Sequence, residues 1–227
     1  MNQRTNMKLS AETLNILKNF SSINQSIFVR EGNKLRTISV TQTILAEAIV
    51  DEEFPRDFAI YDLNQFLNGI GLHDSPELDF TNDRYVIIRE GKRRVKYFFA
   101  DSSIIVSPPN KNISLPSEDI SFNLEHSQLD KLKKAAAVYQ LNDLSIVGEA
   151  GVIKLVVRDK NNDTSNEYSI IVGETSTEFI MNFKVENLKI IPGSYDVVIS
   201  EKLLSKFTAS NRSVVYWIAM EPDSKFG

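Results

Sequence analysis

Apolar positions along the chain recur with two periods, and the two alternate in the same order twice. From Ser10, Leu14, Leu17 and Phe20 stand three apart. That spacing predicts an amphipathic helix with Ser10 as N-cap and Glu12 in its opening turn. Ile27-Phe28-Val29 then precedes Glu31-Gly32-Asn33, and Leu35 to Val40 follows, the pattern of two strands around a turn. Ile44 to Val50 predicts a further strand. Asp62 caps a shorter helix over 62–70, with Leu63, Phe66, Leu67 and Ile70 on one side. Arg94 to Ala100 closes the half as a strand that puts Val95, Tyr97 and Phe99 on one face.

The second half repeats this order. Leu129, Leu132, Ala135, Ala136 and Tyr139 mark a helix over 125–139. Leu144 to Val147 and Val152 to Val157 flank Gly148 to Gly151, and Glu167 to Val172 predicts the next strand. Val185 to Lys189 predicts a short fourth helix stopped by Pro192-Gly193, and Ser213 to Ala219 predicts the closing strand. Leu14 falls on Leu129 at an offset of 115, Gly32 on Gly151 at 119, and the second helices on each other at 122. Small loop insertions give such a drift, and a period of this length points to a duplicated unit. Between the halves, Ala100 to Asn123 turns polar and proline-rich, hence extended. The chain therefore reads as α+β, with an N-terminal domain over 7–106, a connector over 107–120 and a C-terminal domain over 121–227.

Composition narrows the chemistry. The 227 residues include no cysteine and two histidines, His73 and His126. Disulfides, thiolate metal sites and cysteine nucleophiles are excluded, and histidine-dependent catalysis has little to work with. No phosphate-cradling GxxxxGK[ST] or GxGxxG occurs, and no GxSxG or HExxH. The expectation is a protein that is not an enzyme, with no catalytic residue, no metal and no cofactor. Gly69 to Asp74 reads as a helix end and loop, and Asp51-Glu52-Glu53 as a solvated loop. The polar start MNQRTNMKLS predicts no secretory signal. Residues 1–6 read as a leader, with Met7 a second candidate start. The longest apolar run, Val214 to Met220, is of strand length, so no membrane is expected as a partner.

Net charge is −4, and residues 1–110 carry 13 basic and 14 acidic side chains against 13 and 16 in the remainder. The whole-molecule field thus gives no sign of nucleic-acid binding. The helices differ from the average. Lys131 and Lys134 point away from the apolar stripe of the third helix, with Lys133 on its flank and Asp130 among them. Lys18 flanks the first helix, Lys8 precedes it, and Lys184 and Lys189 belong to the expected fourth helix. Most acids fall in loops. Cationic helix faces on an acidic chain can hold a polyanion, although exposed helix lysines are also an ordinary solvated surface. The run Lys92-Arg93-Arg94-Val95-Lys96 reads as a charged hairpin end beside core aromatics.

Several stretches resemble the DNA polymerase sliding clamps of T-even-type bacteriophages. They are Met7-Lys8-Leu9-Ser10, Leu17-Lys18-Asn19-Phe20 with Ile23-Asn24, and Ala59 to Asn64 with Phe66-Leu67. Val106 to Lys111 is similar to the family's connector. Asn182-Phe183, Pro192 to Tyr195 and Ala219 to Ser224 match more loosely. The resemblance implies a clamp fold with helices lining a ring and antiparallel sheets outside. It also implies a homotrimer that encircles duplex DNA, slides on it and tethers the phage DNA polymerase in the cytoplasm of the infected bacterial host. An ATP-dependent clamp loader and, for late viral transcription, an RNA polymerase late-promoter subunit and co-activator are the further partners it implies. The DNA-facing lysines would be Lys8, Lys18, Lys131, Lys133, Lys134, Lys184 and Lys189. A partner-peptide pocket would lie near Ile104, Ile105, Val106, Met220 and Pro222. A duplicated scaffolding protein that never encircles DNA would show the same repeat.

Overall fold

A computed structural model describes residues 6–227, which fall into two compact units divided after Asn110. The leader reading lies outside the described residues except for Asn6, which is not leader but strand: β1 (Asn6–Met7) pairs with β6 (Glu77–Asp79).

In the first unit β1 leads into α1 (Ala11–Ile23), which Ser10 caps by accepting the Thr13 N–H on its side chain. The strands β2 (Ile27–Val29), β3 (Gly32–Ile38), β4 (Ile44–Phe54) and β5 (Phe58–Ile60) follow. Then come α2 (Leu63–Ile70), β6, β7 (Tyr85–Glu90) and β8 (Arg93–Phe98). One antiparallel sheet runs β1-β6-β7-β8, while β3 pairs with β4 and β2 with β5. The pair expected between the second and third strands is thus no ladder; β2 turns to β5 instead. Thr13, Ile16, Leu17, Phe20 and Ile23 form the buried face of α1, which packs on β3 and β4. Phe58 sits among Phe54, Phe80 and Phe99 at ring separations of 5.8, 5.1 and 5.2 Å. Burying a side chain such as Phe20 contributes about 2 kcal/mol.

The second unit contains β9 (Ile120–Leu124), α3 (His126–Tyr139), β10 (Asp143–Glu149), β11 (Val152–Arg158) and β12 (Tyr168–Glu174). After them come β13 (Phe179–Lys184), a 3-10 turn over Val185–Asn187, β14 (Tyr195–Ser200), β15 (Leu204–Ala209), β16 (Val214–Ala219) and β17 (Lys225–Phe226). One set of ladders runs β9-β14-β15-β16, and a five-stranded sheet runs β12-β11-β10-β13-β17. Shifting each strand of the first unit's β1-β6-β7-β8 by eight places reproduces β9-β14-β15-β16. The duplication therefore holds at the level of topology. Gly32 and Gly151, aligned by sequence, both take left-handed backbone, with φ of +107° and +84°, at the start of β3 and β11. Only glycine enters that region without strain.

Three further expectations are corrected. The fourth helix is only a 3-10 turn: five residues with Val185 at the front and Ile190, Ile191 and Pro192 behind cannot offset the cost of nucleating an α-helix. No side chain caps it, whereas Asp62 accepts the Gln65 N–H at the head of α2. Tyr139 is 50% exposed rather than part of the α3 core stripe, which consists of Leu129, Leu132 and Ala136. Asp51-Glu52-Glu53 is strand, not solvated loop. Glu52, on β4, accepts hydrogen bonds from the Ser10 N–H and the Thr13 hydroxyl, so β4 holds down the start of α1.

Burial alone would raise the Glu52 pKa, but these hydrogen bonds outweigh it and keep the carboxyl below its ordinary value. Glu52 therefore stabilises the fold above the carboxylate range and loses that contribution as pH falls through its lowered value. Glu52→Gln is expected to cost about 1 kcal/mol in urea unfolding at pH 7, a figure discounted for partial solvent exposure. The difference from wild type should narrow as pH falls below the ordinary carboxylate range and vanish below the lowered value; an unchanged gap in acid would contradict the assignment. A Cβ at Gly148 would stand 2.4 Å from the Phe179 ring and 2.6 Å from the Thr177 carbonyl. Gly148→Ala is expected to destabilise by about 1–3 kcal/mol in the same assay, and a neutral result would contradict the packing of β10 on β13.

Candidate nucleic-acid interface

Both units carry cations on or beside the helix that follows their first strand, so the site is built from the helices. In the first unit α1 and α2 pack side by side. Their paired faces leave a groove of about 520 Å³. Its floor is apolar, with Leu14, Leu67, Ile70 and Leu78. Lys8 and Lys18 stand on one side and Asn64 and Asn68 on the other. The Lys8 ammonium donates to the Ser75 hydroxyl at 3.0 Å, which ties the entry to α1 to the loop after α2. Lys18 is exposed. The loop after α2 also contributes His73, whose two ring nitrogens are buried without a hydrogen-bond partner. The sequence reading took that loop as inert. Its place against α1 depends on Glu90 of β7 accepting the Asp74 and Ser75 N–H groups, a long-range contact with no local signal.

In the second unit α3 occupies the position of α1, between the first and second strands. The Glu125 N–H donates to the Gln128 side chain at 2.9 Å, and Ser194 accepts the His126 N–H at 3.0 Å, so the helix start is tied both to itself and to the segment before β14. Gln140 closes the helix in left-handed backbone. Leu129, Leu132 and Ala136 face inward, which turns Lys131 and Lys134 to solvent. Lys134 pairs with Asp130 one turn earlier at 2.7 Å, and the hydrogen bond from Lys134 holds the Asp130 carboxyl below its ordinary value. Lys133 is half-buried on the flank, and desolvation lowers its pKa.

The other expected lysines are not on a helix. Lys184 ends β13, and its ammonium lies 2.6 Å from Asp143, a carboxylate only 3% exposed on neighbouring β10. The hydrogen bond to Asp143 raises the Lys184 pKa. This lysine is committed to a structural pair, and its charge is largely cancelled. Lys189 is exposed in the segment between the 3-10 turn and β14. The misplacement follows from the missing fourth helix.

The residues expected around a peptide pocket are split between the units. Ile105 is buried in the first unit while Ile104 and Val106 are exposed, and Asn24 donates to the Val106 carbonyl at 3.1 Å. Met220 is buried in the second unit, held by its N–H to the Leu203 carbonyl, and Pro222 is exposed. Among the described residues no group of three or more His, Asp or Glu could hold a metal ion. None of the described helices is long and apolar enough to cross a membrane.

Two family models match the chain. The model for the DNA polymerase processivity factor covers residues 10–107, and that for the C-terminal part of the gp45 sliding clamp covers 121–222. The sliding clamp of Escherichia phage RB69 is 34% identical over 96% of this chain and 98% of its own length. That of Vibrio phage KVP40 is 33% identical over 95% and 99%, and that of Enterobacteria phage T4 30% over 96% and 98%. Among solved structures, the proliferating cell nuclear antigens of Entamoeba histolytica and Thermococcus kodakaraensis superpose with a TM-score of 0.69 at 12% and 14% identity. Each likeness covers 95% of this chain, and 98% and 99% of theirs respectively. At that identity they show the fold: the two-domain clamp architecture.

Lys184→Met is expected to cost about 2–4 kcal/mol of stability, because it leaves the Asp143 carboxylate buried without its cation. Adding Asp143→Asn should recover part of the loss. A single variant as stable as wild type in chemical denaturation would contradict the structural role.

Proposed function

The chain belongs to the sliding-clamp family of phage DNA polymerase processivity factors, and on that premise we propose that it acts as a homotrimeric ring around duplex DNA. Three copies, each of two repeats, place six similar units around the hole. Residues 107–120 serve as the connector between the domains over 7–106 and 121–227; the two family matches stop at 107 and resume at 121, which supports this reading.

One observation carries the DNA assignment. In each unit the helix that follows the first strand turns its apolar face to the sheets and leaves lysines at the surface: Lys18 with Lys8 beside it, and Lys131 with Lys134. Such cations attract phosphates without reading bases. Sliding needs this weak, water-screened attraction, because tight contacts would brake the ring. Lys133, Lys184 and Lys189 contribute less: the first is half-buried, the charge of the second is largely cancelled by Asp143, and the third adjoins no α-helix in the chain. The mechanism is topological: the ring keeps the polymerase at the template by enclosing the duplex and catalyses no reaction itself.

The same reading extends to partners. The polymerase docks a short hydrophobic segment near Ile104, Ile105, Val106, Met220 and Pro222. An ATP-dependent loader opens and places the ring, and an RNA polymerase late-promoter subunit with its co-activator uses it for late viral transcription. The setting is the cytoplasm of the infected bacterial host.

Reversing Lys131 and Lys134 to Glu is expected to shorten the products of polymerase running with clamp and loader several-fold at about 0.15 M salt, where surface attraction is already screened. Lys8→Glu with Lys18→Glu should act in the same direction. Sedimentation of both variants should match wild type. Full-length products from the four-fold variant would contradict the helix-face assignment.

A further inference from the structure

In the five-stranded sheet of the second unit, β13 has β10 on one side and the end of the chain on the other. β17 contributes two ladder pairs, Phe179 with Phe226 and Ile180 with Lys225. Beyond those pairs the tail goes on bonding the same edge. The Gly227 N–H donates to the Glu178 carbonyl at 3.1 Å, and the Glu221 N–H to the Asn182 carbonyl at 2.8 Å. The Asn182 N–H donates to the Ser224 hydroxyl at 2.9 Å. Phe226 stacks on Phe179 with ring centroids 6.0 Å apart. A ladder of two pairs is marginal by itself, so other contacts must hold the tail down.

A side-chain network supplies that hold. Lys160, in the loop after β11, places its ammonium 2.6 Å from one Asp223 oxygen and 4.0 Å from Glu221. The other Asp223 oxygen accepts from the Asn182 side-chain amide at 3.2 Å. The Asn182 amide oxygen in turn accepts the Ser145 hydroxyl at 2.7 Å, and Arg158 donates to the Ser145 oxygen at 3.1 Å. Asn182 and Ser145 are both buried, so the network is rooted in the sheet and reaches outward to the tail. A charged pair tied into such a chain of hydrogen bonds holds better than an isolated surface pair. The hydrogen bond from Lys160 keeps the Asp223 carboxyl below its ordinary value. Lys184, the next cation along β13, is engaged by Asp143. The Lys160 backbone N–H also donates to Asp143, at 3.2 Å, so the loop keeps its place without the ammonium.

Beneath the tail lies Phe179-Ile180-Met181-Asn182-Phe183, five residues without a charge and mostly aromatic or aliphatic. With its backbone open, such a segment pairs with its own kind on another molecule, because no like charge opposes the approach. We propose that residues 221–227 are a strap that shields the edge of β13, latched by Lys160 to Asp223, and that release of the latch opens this edge to β13 of a second copy. The strap keeps the edge out of assembly, and the latch is where the loss of one charge undoes it. Strap, latch and edge all lie in the second unit, so the inference goes beyond the ring reading and stands without it.

The test is amide hydrogen exchange on the full chain, read residue by residue, paired with sedimentation over a protein concentration series. In Lys160→Met, exchange at Asn182, Glu221 and Gly227 should quicken about tenfold, the effect of losing a hydrogen bond to a charged group. The amides that join β10 to β11 should exchange as in wild type. The same variant should form species larger than wild type as concentration rises. Asp223→Asn should act in the same direction, and it keeps the test open if melting curves show that Lys160→Met unfolds. Lys160→Glu with Asp223→Lys restores opposite charges and should exchange more slowly at the three tail contacts than either reversal alone. Wild-type exchange in both neutral variants would overturn the latch. A double reversal no slower than the single ones would overturn the charge pairing as its basis. Faster exchange with no species larger than wild type at any concentration would overturn the shielding role.

Discussion

Each antiparallel sheet has one apolar face that must be taken out of water, and in both repeats the first helix covers strands at the same positions. α1 lies on β3 and β4, and α3 lies on β11 and β12. Once that stripe is fixed inward, the opposite face of the helix is fixed outward, and its lysines go with it. Packing therefore sets what the surface offers: Lys131 and Lys134 are surface cations because Leu129, Leu132 and Ala136 are core. The capping contacts reinforce the same geometry. Glu52 reaches from β4 to the start of α1, and Ser194 reaches from before β14 to the start of α3. Each ties a helix to a segment distant in sequence.

The repeats share topology but not every element. In the first, α2 lies beside α1 and their junction forms a groove with lysines on one wall and asparagines on the other. In the second, the corresponding segment is a single 3-10 turn, so α3 presents its cations with no second α-helix after β13. The two units thus offer different surfaces to a polyanion, one grooved and partly neutral, one a lone helix.

Much of this was legible in the sequence because the signals were local. The period of Leu14, Leu17 and Phe20, the caps Ser10 and Asp62, and the paired glycines Gly32 and Gly151 each follow from a few neighbouring residues. What stayed hidden depends on contacts far along the chain. β2 pairs with β5 rather than β3, Glu52 is recruited as a cap, and Lys184 is captured by Asp143 across 41 residues of sequence. The fourth helix failed for a different reason: an apolar spacing over five residues does not distinguish a helix from a turn when β-branched residues and Pro192 surround it. The family resemblance came from order and spacing over nearly the whole chain, which no single motif would have supplied.

The most direct measurement is retention of the clamp, once loaded, on a nicked circular duplex compared with the same duplex cut once to give free ends. A topological tether predicts that the protein stays on the circle through gel filtration and is lost from the cut molecule, with polymerase stimulation falling in step. Equal retention on both forms would mean that contact rather than enclosure holds the protein, and the ring account would fail.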